Sequence, residues 1–480
     1  MQLDTTWARE LPGTYASVTL AVPSAPRLVA FNGPLADALG LDADVVRANA
    51  SDWLSGAGLP PGASPIAQAY AGHQFGGLSP QLGDGRAALL GEWVDASGRR
   101  WDVALKGSGR TPFSRGGDGK AALGPMLREW IIGEALTALG VPASRALAVV
   151  ATGDPVLRER RLQGAVLTRV ASSHLRVGTL EYYALRGDLV QLHRLVGYAL
   201  ARHHPEARGA SPALALLTAV RDAQAALVAQ WMAVGFVHGV LNTDNVTLSG
   251  ESIDFGPCAF VERHDPATVF SSIDTQGRYA YGNQPSITQW NLARLASALL
   301  PVIDDDDDVA VAAAREIVGG WADVFGARMR EAWARKLGVT VSDVGCIDGF
   351  LALLNAHRPD HTLAFRGLGA ALREDRSVWT RAGLAGPDVD AWYAAWRPVV
   401  TATRAVADAA AILDAVNPAV IARNHRVEGA LASASAGDFG PVERLVAALQ
   451  HPFGADLLRT DGADPAPDGF TEGYQTFCGT

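Results

Sequence analysis

Residues 236–257, FVHGVLNTDNVTLSGESIDFGP, decide how this chain is to be read. A helix ending near Gly235 leads into the stretch, two short strands are expected around a turn at Ser249 and Gly250, and Asp254-Phe255-Gly256 closes it. Asn245 and Asp254 both offer hard oxygen atoms, the ligand type that holds a divalent cation on phosphate groups. Their pairing predicts a metal site for Mg²⁺ or Mn²⁺ on a bound nucleotide.

Set against the protein-kinase pattern H-R-D-L-x-x-x-N, the stretch supplies His238, Gly239, Val240, Leu241 and Asn245, so Val240 stands where the catalytic base belongs. Two accounts follow. Either the protein binds nucleotide without chemistry, as a scaffold, or another group accepts the proton. Asp244 is the candidate general base, because a carboxylate beside a cation ligand stays ionised and can deprotonate a hydroxyl. The plainer account of Asp244 is a loop aspartate bonded to nearby backbone N–H groups. A third alternative, a small-molecule phosphotransferase with an H-G-D-x-x-x-x-N loop, also places an acid where Val240 stands.

Upstream, AALLGEWV and RWDVALKG flank the turn DASG, two strands with apolar alternation. The second ends in Val103-Ala104-Leu105-Lys106, the strand pattern of a phosphate-holding lysine. Such a lysine needs a carboxylate from a following helix. That helix, GPMLREWIIGEALTALG, starts with Pro125 at its first position, stops at Gly140 and buries Leu127, Trp130, Ile131, Ala135 and Leu139. It carries both Glu129 and Glu134, about 140° apart around the axis, so only one can face Lys106 and spacing does not choose. Gly83 and Gly85 in QLGDGRAALLGE let backbone N–H groups approach phosphate, with Arg86 adding a cation; a hairpin turn is the plainer reading, and a Rossmann site is excluded because a strand follows. SRGGDGKAALG adds a second glycine-rich loop with Arg115 and Lys120. Arg169 and Arg176, seven residues apart, share a face if their segment is helical, and arginines suit phosphate oxygens.

The bulk numbers frame these motifs. The chain has 480 residues, 48% of them hydrophobic, and a formal net charge of -9. An extended core is expected, and a non-specific grip on nucleic acid or anionic membrane is not. Three cysteines without a CxxC pair argue against a disulfide framework or structural zinc, and the N-terminus lacks an export signal, so a cytoplasmic location is expected. The expected class is α+β: an N-terminal extension over residues 1–65, a strand-rich lobe over 66–170, an enlarged helical lobe over 171–460 and a flexible tail over 461–480. The aspartates at 304–308 read as a solvated loop, since consecutive carboxylates cannot all face one calcium ion.

Taken together, AYAGHQFGGLSPQLGDGRA, VALKGSGRTPFSRGGDGKAALGPMLREW, HGVLNTDN, SIDFGP and GRYAYGNQP resemble the selenoprotein O family, also called the YdiU family, from about Leu11 to the tail. The resemblance implies a two-lobed protein-kinase-like fold and protein adenylylation, the transfer of AMP from ATP to Ser, Thr or Tyr hydroxyls of protein substrates, itself included. It implies ATP turned around relative to ordinary kinases, with the γ-phosphate buried and the α-phosphate presented. Lys106 then contacts phosphate and pairs with Glu129. Gly83, Gly85, Arg86, Asp118 and Gly119 line the nucleotide site, Arg169 and Arg176 hold the buried phosphates, Asn245 and Asp254 bind Mg²⁺ or Mn²⁺, and Asp244 is the base. Uridylyl transfer from UTP with Mn²⁺ uses the same chemistry. The family resemblance also suggests a redox role for Cys478, with Cys258 as a partner.

Overall fold

The computed structural model describes residues 1–454, 457–458, 461–467 and 469–477. It is a mixed α+β structure built on one antiparallel sheet and a large helical region. Along the sheet the strands run Tyr15–Ser17, Ile66–Gln68, Ala87–Val94, Arg100–Lys106, Arg161–Ala171, Arg145–Leu157 and Arg27–Phe31, with Ala121–Ala122 pairing off Arg161–Ala171. Both edge strands therefore come from the first 31 residues. The central hairpin forms where the alternation predicts it, Val94 opposite Arg100. Its turn is closed by the Asp95 carboxylate, which accepts from the Ser97 and Arg99 N–H groups at 2.9 and 3.0 Å.

The Leu123–Ala138 helix lies across the strands Arg145–Leu157 and Arg161–Ala171. It starts two residues earlier than Pro125 suggests, because Ala122 supplies the extended cap, and Gly140 follows its end at φ 79°. Leu127, Trp130, Ile131 and Ala135 are buried.

From Val177 onward the chain is predominantly helical. Pro212–Val234 has the length and apolarity of a bilayer-crossing segment, yet it packs between the helices Trp321–Leu337 and Gln284–Leu299 and ends at left-handed Gly235. A second group of buried aromatics, including Trp333, Phe350, Phe365, Trp379 and Trp396, fills the helices beyond residue 330.

Phe236–Val237 pairs antiparallel with Ala259–Phe260, so the loop between them is pinned at both ends. Within it, no strand pair flanks Ser249 and Gly250. Thr247 bridges to Arg176 and Ser252 to Ala143, and the turn between them is held by Thr247 Oγ1, which donates to the Glu251 carbonyl and accepts its N–H. Of the aspartate run, Asp306 caps the Asp307–Gly319 helix, accepting from the N–H groups of Asp308 and Val309, so the run is partly a helix start. The expected flexible tail is anchored where described: the Thr476 N–H donates to the Phe270 carbonyl at 2.8 Å and the Tyr474 hydroxyl to Glu428 at 2.8 Å. Cys258 is buried and Cys346 half-buried. Cys478 lies outside the described residues.

Candidate active site

Strand register, rather than helical spacing, brings the first cations together. Lys106 is opposite Leu167 and Ala104 is opposite Arg169, so Lys106 and Arg169 project from one face of the sheet. The segment from 169 to 176 is not helical: Arg169 lies in a strand, and Arg176 is the extended residue before the Val177–Ala184 helix. The two arginines meet because the chain turns back between them.

They meet at Asp254. Lys106 Nζ donates to its Oδ1 and also to Glu129 Oε1. Arg169 Nη1 donates to Asp254 Oδ1 at 2.8 Å, and Arg176 Nη1 lies 3.8 Å from Oδ2. Burial alone would raise the Asp254 carboxyl, but Lys106, Arg169 and Arg176 outweigh it and hold the group well below the usual carboxylate range. Its backbone is left-handed, φ 64°, a region uncommon for non-glycine residues but one that aspartate enters more readily than most. The choice between the two glutamates is settled by position: Glu134 turns away to Arg145, whose Nε and Nη2 both donate to it at 2.7 Å.

Asp244 and Asn245 sit in the one-turn 3-10 helix Thr243–Asn245. Asn245 Nδ2 donates to the Val240 carbonyl at 2.9 Å, which assigns Oδ1 as the acceptor atom of that amide. Asp244 is buried, which pushes its carboxyl up against the pull of Arg176, to about 6. Its own backbone N–H and Gln74 Nε2, which reaches Oδ2 at 3.3 Å, both favour the ionised form. Three buried polar atoms here have no hydrogen-bond partner among the described residues: Asp244 Oδ1, Glu129 Oε2 and Arg176 Nη2. An orphaned buried group is costly in isolation, so this trio marks a site built to receive a polar ligand.

All twelve predicted residues line one cleft of about 480 Å³: Gly83, Gly85, Arg86, Lys106, Asp118, Gly119, Glu129, Arg169, Arg176, Asp244, Asn245 and Asp254. The glycines also have a packing reason. A Cβ on Gly83, at φ 77°, would lie 2.4 Å from the Phe113 ring, and one on Gly119 would lie 2.0 Å from the Gly109 carbonyl oxygen. Gly83 and Gly85 thus let the two glycine-rich loops pack together, and they precede the Ala87–Val94 strand instead of forming a hairpin turn. Asp118 holds Arg158 through two hydrogen bonds, at 2.9 and 3.1 Å, and is lowered chiefly by them.

Two groups of residues receive no role from the motif reading. The first is a buried chain behind Arg169. Its Nε donates to His174 Nε2 at 3.1 Å, His174 Nδ1 donates to Asp102 Oδ2 at 2.9 Å, and Arg202 Nη2 donates to Asp102 Oδ1 at 2.6 Å. Burial pushes His174 down, and accepting from a guanidinium keeps it neutral. The second is the hairpin of Gly72–Gln74 and Gly77–Ser79, packed against residues 242–244. No spacing rule flags either one, because each is defined only by contacts between distant segments.

Comparison with known proteins places the chain in a family. Residues 1–450 match the family described as protein adenylyltransferase SelO. A protein nucleotidyltransferase YdiU of Cereibacter sphaeroides is 55% identical over 100% of this chain and 99% of its own length. One of Chromobacterium violaceum is 55% identical over 98% of this chain and 100% of its own, and one of Mycobacterium sp. is 52% identical over 100% and 99%. The chain therefore belongs to the SelO family, which includes the YdiU nucleotidyltransferases.

Proposed function

We propose that this protein transfers AMP from ATP to serine, threonine or tyrosine hydroxyls of proteins, releasing pyrophosphate, from a kinase-like two-lobed fold. The observation that carries the reading is the convergence of Lys106, Arg169 and Arg176 on Asp254, with Arg176 Nη2 buried and unpartnered. Three cations against the two carboxylates of Asp254 and Glu129 leave one positive charge in surplus, which suits a polyphosphate.

Attack at the α-phosphorus forms a bond to the acceptor oxygen and breaks the bond to the bridging oxygen of pyrophosphate. Negative charge grows on the departing group, so arginines around the β- and γ-phosphates stabilise it as it leaves. This requires ATP turned so that its γ-phosphate is buried, and it removes the need for a base at Val240. Asp244 takes the hydroxyl proton: with its carboxyl at about 6 it is mostly ionised at neutral pH, and Oδ1 is uncommitted. Asn245 and Asp254 would hold Mg²⁺ or Mn²⁺, which their hard oxygens fit, and the bound cation would neutralise phosphate charge. Gly83, Gly85, Arg86, Asp118 and Gly119 would form the outer wall of the nucleotide site.

The test compares ATP labelled at the α- and γ-phosphates, with UTP labelled at the α-phosphate in parallel, each with Mg²⁺ and with Mn²⁺. Protein label from α-ATP alone supports AMP transfer. Label from γ refutes it in favour of an ordinary kinase, preference for UTP makes the enzyme a uridylyltransferase, and ATP binding without pyrophosphate release makes it a scaffold.

A further inference from the structure

The cleft has a wall on the Asp244 side that nucleotide chemistry leaves unused. In the hairpin of Gly72–Gln74 and Gly77–Ser79, the turn residues Phe75 and Gly76 are left-handed, at φ 52° and 85°. A bulky residue enters that region only under constraint, and such outliers gather where ligands are clamped. The constraint here is visible. The Phe75 N–H is shared between Asn242 Oδ1 at 3.2 Å and the Tyr279 hydroxyl at 3.0 Å, and its ring meets Tyr279 edge-on at 5.1 Å. The His73 N–H donates to Thr243 Oγ1 at 2.7 Å, and Gln74 reaches Asp244. The hairpin is thus fastened to the segment that carries the candidate base.

Its apolar side chains nevertheless face outward, Phe75 39% and Leu78 43% exposed, and Ile273 nearby is 52% exposed. Gln74, Phe75 and Ile273 line the same cleft as Asp244. Beside the turn stands a cationic stack: the Arg278 guanidinium lies 4.7 Å from the Trp290 ring centre, and that of Arg294 lies 5.3 Å from the same ring. The Nε atoms of both arginines are buried and unpartnered among the described residues. A Cβ on Gly76 would sit 3.7 Å from the Arg278 guanidinium, so apolar tip and cations adjoin.

We propose that this strip docks the acceptor polypeptide, with an apolar side chain next to the acceptor hydroxyl resting on Phe75 and Ile273, and an acidic residue facing Arg278 and Arg294. The inference rests on the transfer reading above. A segment that presents a hydroxyl to Asp244 passes over the residues that share its cleft, and Arg278 and Arg294, which stack on Trp290 and make no ion pair among the described residues, select acidic neighbours.

A positional-scanning peptide library with a central Ser, Thr or Tyr and α-labelled ATP tests it. The unmodified enzyme is expected to favour acidic and large apolar residues at fixed offsets from the hydroxyl. R278E should lower kcat/KM for acidic peptides by about tenfold and shift preference toward basic ones. I273S, at an exposed position where folding is not at stake, should raise the peptide KM severalfold while the affinity for ATP, measured by equilibrium dialysis, stays unchanged. Labelling indifferent to flanking residues, or both variants keeping the original preferences and KM, overturns the docking site alone. Absence of any α-label transfer by the unmodified enzyme overturns the transfer reading and the docking site with it.

Discussion

Replacing Lys106 by methionine should separate stability from activity in a way that depends on its partners. Lys106 serves two carboxylates, Asp254 has three cations, and Glu129 has one. In K106M, Asp254 keeps Arg169 and Arg176, but Glu129 is left buried without a cation, and its Oε2 already lacks a partner. Stranding one half of a buried pair costs about 3–5 kcal/mol. In E129M the lysine keeps Asp254 and a buried carboxylate disappears, so the change should stay within about 1 kcal/mol. The double variant K106M/E129M strands nothing, and should recover most of the K106M loss. Urea unfolding of the four proteins without nucleotide measures the cycle, and α-label transfer measures function. The expected result is a double variant nearly as stable as the parent and inactive. Equal costs for the two single changes, or costs that simply add, would refute the partner assignment; loss of transfer in E134Q equal to that in E129Q would refute the choice of glutamate.

Other perturbations probe the remaining parts. D244N should lower turnover by about 10²–10⁴-fold, and the parent's turnover should fall as pH drops through about 6, because only ionised Asp244 accepts a proton; a rate flat from pH 5 to 7 would contradict its role as base. D254A should abolish transfer and weaken Mn²⁺ binding in electron paramagnetic resonance, whereas undiminished Mn²⁺ affinity would remove Asp254 from the metal site. H174A should raise the KM for ATP more than it lowers kcat, since Arg169 would lose its orienting acceptor while keeping its charge; an unchanged KM would make the buried chain purely structural. Lys336 is pushed down to about 7, first by burial and then by Arg335, so between about pH 7 and 10 the unfolded chain binds more protons and stability should rise with pH; K336M should be more stable at pH 7 by a few kcal/mol, and a flat calorimetric profile would count against it.

The residues whose identity alone carries chemistry were legible in the sequence. Lys106, Asn245 and Asp254 sit in short patterns, and Val240 announced that the usual base is missing. Geometry between segments was less so. Glu129 and Glu134 could not be separated by spacing, because the choice depends on Arg145 reaching back from the next strand. The seven-residue spacing of Arg169 and Arg176 predicts a shared helical face, whereas a strand and the extended residue before a helix deliver them. His174 and Asp102 carry no spacing signal, and the Phe75 hairpin, although inside the motif AYAGHQFGGLSPQLGDGRA, shows its role only through contacts with residues 242, 243 and 279. The turn at Ser249 looked like a hairpin because β-branched Val246 and Thr247 precede it. A side-chain hydroxyl closes it instead, leaving the backbone free to bridge elsewhere.

The sheet borrows both of its borders, Tyr15–Ser17 and Arg27–Phe31, from the start of the chain. Proteolysis that released residues 1–31 would leave the Leu123–Ala138 helix and the cleft covalently intact, yet would bare two rows of backbone donors and acceptors along Ile66–Gln68 and Arg145–Leu157. Bare rows of that kind recruit strands from neighbouring molecules. The first thirty residues thus act as a selvedge that keeps both borders of the sheet from unravelling into neighbouring molecules.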